Sequence, residues 1–204
     1  MDGRRVVKEA YDEMAEDYTD HVTSDTPSDR PDPVERFTKE LGPEDRVLDA
    51  GCGPGRATLQ DAGEDGVGLD ISRSQLSLAA ERVTAELVQG DMSALPFSRD
   101  SFDAVLALYS LIHVPVDAHR TVLEEFARVL QPGGAVLVSE GGVEWTGSNP
   151  DWLDSGIEMR WSMAGPAATR ETLEATGFEI REVRDVPDPT TDDGEKPFFL
   201  ARLP

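Results

Sequence analysis

Three glycines at alternate positions, Gly51, Gly53 and Gly55, separate two short apolar runs, and no other stretch of the 204 residues limits the fold as tightly. The first run, Val47-Leu48-Asp49-Ala50, and the second, Val67-Gly68-Leu69-Asp70, both contain an acid at or near the carboxyl end. Short apolar runs with little polar alternation suit strands covered on both faces, and the interval between these two holds only a turn and a short helix. The pattern is that of a parallel β-α-β unit. Glycine suits the turn because it tolerates positive φ and, lacking Cβ, lets the backbone come close to a ligand.

The glycine spacing narrows the ligand. Dinucleotide sites use G-x-G-x-x-G and aim a helix N-terminus at a pyrophosphate, but here the third glycine would fall on Arg56. Asp49 stands in front of the turn, where it would repel a phosphate and suit a ligand carrying an ammonium group. Asp70 follows Gly53 by about the interval at which an acid grips ribose hydroxyls in nucleotide-binding units. The run VLDAGCGPG closely resembles the first motif of class I S-adenosylmethionine-dependent methyltransferases, and VGLDIS resembles their second. GDMSALPF resembles a third, in which an Asp bonds the adenine amino group and its neighbour covers the ring. The resemblance implies S-adenosylmethionine as cofactor, held by Asp49, Gly51, Gly53, Asp70, Ile71 (packed on the adenine), Asp91, Met92 and Leu108. It also implies an α/β fold: a Rossmann-like, doubly wound, seven-stranded sheet, mostly parallel, with an antiparallel last strand.

At the N-terminus, Val7, Tyr11, Met14, Ala15, Tyr18 and Val22 recur at helical spacing, so one amphipathic helix is expected over residues 5–22. YDEMAEDY resembles the Tyr-Asp-x-x-Ala-x-x-Tyr signature of small-molecule methyltransferases, which implies Tyr18 near the methionine end of the cofactor. Its aromatic face either closes over the cofactor or packs on the sheet. Residues 23–32 read as a polar, proline-rich loop. Pro33 starts a helix that Gly42 stops, and Ser72 caps another with Leu76, Ala79, Ala80 and Val83 as its stripe.

Residues 104–108 are wholly apolar and form the fourth strand; Tyr109 to Val114 then face the crevice where open α/β sheets bind ligands. This segment lacks the Asn/Asp-Pro-Pro-Tyr/Phe of adenine-methylating enzymes. It resembles instead the Leu-x-His-x-Pro type that acts on small molecules, quinones and polyketides, with His113 near the methyl as a general base, a substrate-orienting group or a structural histidine. His119 is expected on an exposed helix start, and His21 at the end of the first helix. RVLQPGG matches a family turn, with a fifth strand over 135–139. Trp145, Trp152 and Trp161 fall in an irregular segment over 141–166 that reads as a substrate lid, an edge cover or a dimer contact. A helix over 169–176 and two more strands complete the chain. The organisation expected is one methyltransferase domain over 1–204: a helical cap (1–42), a cofactor-binding core (43–140), a lid (141–168) and a C-terminal helix with two strands (169–204).

Composition bounds the rest. With 41 acidic against 19 basic residues the formal net charge is −22, and only Lys8, Lys39 and Lys196 are lysines. An acidic, lysine-poor surface suits a salt-rich cytoplasm, where repulsion is screened, and disfavours nucleic acid and anionic membranes as partners. Cys52 is the only cysteine, so an internal disulfide is excluded, and no metal-ligand spacing stands out. A cytoplasmic monomer or homodimer that passes a methyl group to a small-molecule O, N or C acceptor, without a metal, is the reading that results. A cofactor-binding protein without turnover and a nicotinamide oxidoreductase of similar fold are the alternatives.

Overall fold

The computed structural model describes residues 3–23, 32–55, 57–187 and 194–204. In chain order the helices are α1 (Gly3–Glu13), α2 (Ala15–Thr23), α3 (Asp32–Glu40), α4 (Ala57–Ala62), α5 (Arg73–Ala79), α6 (Val116–Val129) and α7 (Gly165–Ala175). The strands are β1 (Val47–Ala50), β2 (Gly66–Asp70), β3 (Glu86–Gln89), β4 (Phe102–Ala107), β5 (Leu130–Ser139), β6 (Trp145–Asn149), β7 (Met159–Met163), β8 (Glu179–Pro187) and β9 (Glu195–Arg202). Seven form one sheet in the order β3-β2-β1-β4-β5-β9-β8. The first five are parallel, and β9 runs antiparallel to both β5 and β8. The fold is therefore the Rossmann-like, mostly parallel seven-stranded sheet expected.

The apolar runs owe their lack of alternation to burial on both faces. Val47 and Leu106 pack with Phe37 and Phe198 on one side, while their neighbours Leu48 and Val105 pack with Phe126 and Phe199 on the other. Strand order reverses between β1 and β4, and this switch point opens a crevice at their carboxyl ends. Ser72 caps α5 as expected, its Oγ accepting from Gln75 N at 3.1 Å.

Several expectations need correction. The N-terminal helix is divided at Met14 into α1 and α2, although Met14 N still donates to Ala10 O and Tyr18 N to Met14 O. One apolar face therefore continues through the bend, which neither Gly nor Pro marks in the sequence. The tryptophan-rich segment is not irregular: β6 and β7 pair as an antiparallel hairpin. Met159 of that hairpin is buried with Val7, Ala10 and Met14, and Tyr11, Tyr18, Trp152 and Trp161 pack around them. The next helix begins at Gly165 rather than 169, and β5 begins at Leu130, with a register shift before Ala135. His21's side chain, residues 24–31 and Arg56 lie outside what is described.

His119 is buried, not exposed, and faces an acid that the sequence reading passed over. Its Nε2 must donate to the Val114 carbonyl at 2.9 Å, which leaves the Nδ1 lone pair 3.6 Å from Glu140 Oε2. Glu140, fully buried, accepts from Gly141 N at 2.8 Å and from Thr169 Oγ1 at 3.4 Å, where the hairpin leaves β5 and α7 begins. Burial raises its pKa to about 7 and lowers that of His119, so below pH 7 a mostly protonated acid faces an uncharged imidazole and the two form no ion pair there. An acid whose pKa is higher folded than unfolded stabilises the fold at low pH, and that contribution is lost as pH rises from about 4.5 through about 7. Glu140→Gln should therefore melt above wild type at pH 8, by on the order of 3 kcal/mol in stability, with the gap closing by pH 5. A gap independent of pH in thermal melts contradicts the assignment.

Candidate functional site

The glycine turn is shaped by what it must avoid and what it must reach. Gly51 has φ +85°, and a Cβ there would stand 2.3 Å from Ser110 Cβ. Ser110, in the turn after β4, is itself held by donation to Ala50 O at 2.7 Å. The turn closes onto β2 through Gly51 N and Cys52 N, both donating to Leu69 O, and through Gly53 N, which donates to Asp70 Oδ2 at 2.8 Å. The other oxygen of Asp70 accepts from Ser72 N at 2.8 Å. Burial nevertheless dominates and raises the Asp70 pKa to about 6, with the nearby charge of Asp12 adding to it.

A cavity of about 680 Å³, open to solvent, lies over this turn. Tyr18, Gly51, Gly53, Asp70, Ile71, Asp91, Met92, Leu108 and His113 all line it. Asp49 is the expected site residue that does not: it is buried within β1 beneath the turn, 5% exposed. Asp91 Oδ1 accepts from Ser93 N at 2.8 Å and its Oδ2 from Arg4 at 2.9 Å. Burial opposes its charge, but the bonds from Ser93 and Arg4 outweigh that and lower its pKa.

Gln75, Tyr109 and Tyr11 also belong to the wall. Gln75, 1% exposed on α5, has neither amide atom hydrogen-bonded within the protein, yet it faces the cavity. The sequence carried a faint signal for it: Gln75 lies four residues before Ala79, a polar side chain on that helix's apolar stripe. Tyr109 has φ +56°, a strained conformation for a side-chain-bearing residue at the mouth of the site. Tyr11 on α1 bonds His113 Nε2 at 2.9 Å. Trp152 and Trp161 stand behind this pair, 6.0 Å from the Tyr11 ring and 5.9 Å from the His113 ring respectively, so the hairpin backs the wall rather than forming it.

The residues present fit a phosphate-free nucleoside. Two carboxylates face the cavity, and its one wall arginine among the described residues, Arg4, is engaged by Asp91 and Ser93. The buried, unpartnered Gln75 amide has both a donor and an acceptor to offer.

Comparison with known proteins agrees. A methyltransferase-domain family model matches residues 47–134. An O-methyltransferase of Aspergillus sclerotiorum is 32% identical over 76% of this chain and 65% of its own length. An O-methyltransferase of Aspergillus nomiae is 31% identical over 76% of each chain. The crystal structure of a SAM-dependent methyltransferase from Methanosarcina mazei superposes with a TM-score of 0.73 at 22% identity, over 86% of this chain and 98% of that one. The chain belongs to the S-adenosylmethionine-dependent methyltransferases, and S-adenosylmethionine is its cofactor.

Gly51→Ala should lose about 1–2 kcal/mol to the left-handed backbone and more to the clash with Ser110. Gly133→Ala, at φ +83° with open space around it, should lose only the first part. Equal losses for the two variants in denaturant melts would contradict the close packing at Ser110.

Proposed function

We infer that this enzyme moves a methyl group from S-adenosylmethionine to a small-molecule acceptor. The observation that carries the assignment of parts is the pairing of Asp70, fastened to both the glycine turn and the N-terminus of α5, with the unpartnered amide of Gln75 across the same cavity. Bound there, the cofactor supplies a methyl group on a positively charged sulfur, which is already activated for displacement.

The chain's own residues then have positional work. Asp70 and Gln75 hold ribose hydroxyls; Ile71 and Met92 flank the adenine; Asp91 accepts from its amino group through Oδ2, the oxygen that Ser93 does not occupy. Gly51 and Gly53 let the backbone reach the amino-acid end, and Tyr18 borders the methyl. Asp49, one layer back, sets the potential beneath the turn. Holding nucleophile and methyl in line is the main source of rate in such a transfer. The hydroxyl acceptors implied by the relatives' names fit a cavity that carries His113 on its wall.

The acidic surface supports two further readings: a cytoplasm rich in salt as the working environment, and neither nucleic acid nor anionic membrane as partner. Among the described residues no helix is long and apolar enough to cross a membrane.

Three measurements test these assignments. Asp70→Ala should weaken S-adenosylhomocysteine binding by about 1.5–3 kcal/mol, the worth of charge-assisted hydrogen bonds; an unchanged dissociation constant would displace the ribose site. Because the Asp70 pKa lies near 6, wild-type affinity should fall as pH drops below that value, and Asp70→Asn should flatten the profile. The melting temperature should rise between low salt and molar KCl, and a flat response would remove the saline reading.

A further inference from the structure

Tyr11, His113 and the Arg160 carbonyl form a line whose hydrogen bonds can point in only one direction. His113 Nδ1 is 2.9 Å from Arg160 O, and a carbonyl has no proton to give. Nδ1 therefore carries the imidazole hydrogen, Nε2 carries the lone pair, and Tyr11, 2.9 Å from Nε2, must be the donor. The elements are independent: Tyr11 comes from α1, His113 from the turn after β4 and Arg160 from β7 of the hairpin. Both Tyr11 and His113 line the cavity. The phenolic oxygen, having given its own proton to the histidine, still has lone pairs with which to accept another.

We propose that Tyr11 is a catalytic residue of this enzyme, the group that receives the proton of a hydroxyl acceptor, with His113 behind it as the final proton holder. This rests on the methyltransferase reading and adds an acceptor class, a weakly acidic hydroxyl compound such as a phenol or enol. As the acceptor oxygen bonds the methyl carbon, the carbon–sulfur bond breaks and its electron pair stays on sulfur. The acceptor's proton passes to Tyr11 Oη, and Tyr11's own proton passes to His113 Nε2. Products are the methyl ether, neutral S-adenosylhomocysteine and an imidazolium. The positive charge lost at sulfur reappears on the histidine, so the pocket's total charge is unchanged through the step. That conservation matters in a site where charge is expensive. Burial, aided by the charge of Lys196 and opposed by the bond to the Arg160 carbonyl, lowers the His113 pKa to about 4. Burial likewise raises that of Tyr11, helped by Tyr18, which is in hydrogen-bond reach, and by Asp70. Both groups thus rest neutral until the sulfonium charge is removed.

A structural clamp joining α1 to the hairpin would use the same bonds, so the test needs readings that a clamp would leave alone. In cofactor-free protein with ¹⁵N-labelled histidine, His113 should be the Nδ1–H tautomer at pH 7 and remain neutral down to about pH 5. An Nε2–H tautomer or an imidazolium at pH 7 overturns the proposal, since Tyr11 could then donate nothing to Nε2. With phenols as probe acceptors, Tyr11→Phe should cut kcat by about 10²–10⁴-fold, the range of general acid–base catalysis. His113→Asn, which keeps a donor for the Arg160 carbonyl, should do the same. KM for S-adenosylmethionine should stay within about threefold of wild type in both variants. The loss should be large for unsubstituted phenol and small for nitrophenols that ionise without help; an equal loss on both, or transfer to amines or thiols and to no hydroxyl compound, overturns it. Equilibrium dialysis of wild type against S-adenosylmethionine separates the two levels: no binding there is a failure of the methyltransferase reading beneath, whatever the tautomer.

Discussion

One hydrogen bond, from Gly53 N–H to Asp70 Oδ2, joins the two halves of the cofactor-binding unit, and much of the site's geometry follows from it. It draws the glycine turn after β1 onto the end of β2, where Leu69 O also receives the two preceding N–H groups. The second oxygen of the same carboxylate takes the Ser72 N–H at the start of α5. One buried acid therefore orders a turn, a strand end and a helix N-terminus together. Helix α5 then brings Gln75 to the cavity, and Gly51, left-handed at φ +85°, has no room for a Cβ because Ser110 in the turn after β4 stands beside it. Burial works against the charge of this acid and the N–H bonds it accepts offset that only in part, so its pKa stands near 6.

The cap over the cavity depends on the same frame. Asp12 of α1 accepts from Ser72 Oγ at 2.7 Å and from Ser74 N at 3.2 Å, directly beside Asp70's own contact. Arg4 at the other end of α1 reaches Asp91 and Ser93, and Tyr11 between them reaches His113. These polar ties cross the mouth of the site at three points, while Val7, Ala10 and Met14 pack against Met159 of the hairpin. Cofactor and acceptor regions thus share one wall, built from α1 on one side and the switch point of the sheet on the other.

Local pattern made the sheet legible in the sequence. Val47-Leu48 and the run from Ala104 to Leu108 show no alternation because both faces are covered, and the glycine turn, Asp70 and the cap at Ser72 are set by nearest neighbours along the chain. What pattern hid was long-range. His119 looks like a solvent-facing helix residue until Val114 O and Glu140 enclose it. The hairpin of β6 and β7 carries Gly147, Ser148 and Asn149 opposite Trp161, Arg160 and Met159, so its pairing shows no strand signature. Asp49 reads as a ligand from its place before the turn, but β1 carries it into the interior. Gln75 gained meaning only once its amide was found buried without a partner.

The account comes down to whether this acid-bordered, phosphate-free cavity binds a sulfonium nucleoside. Calorimetric titration of the wild-type chain in high salt with S-adenosylmethionine, and separately with NADH, decides this most directly. The account predicts a saturable one-to-one heat with the first and none with the second. Saturation by NADH, or silence with both S-adenosylmethionine and S-adenosylhomocysteine, would contradict it.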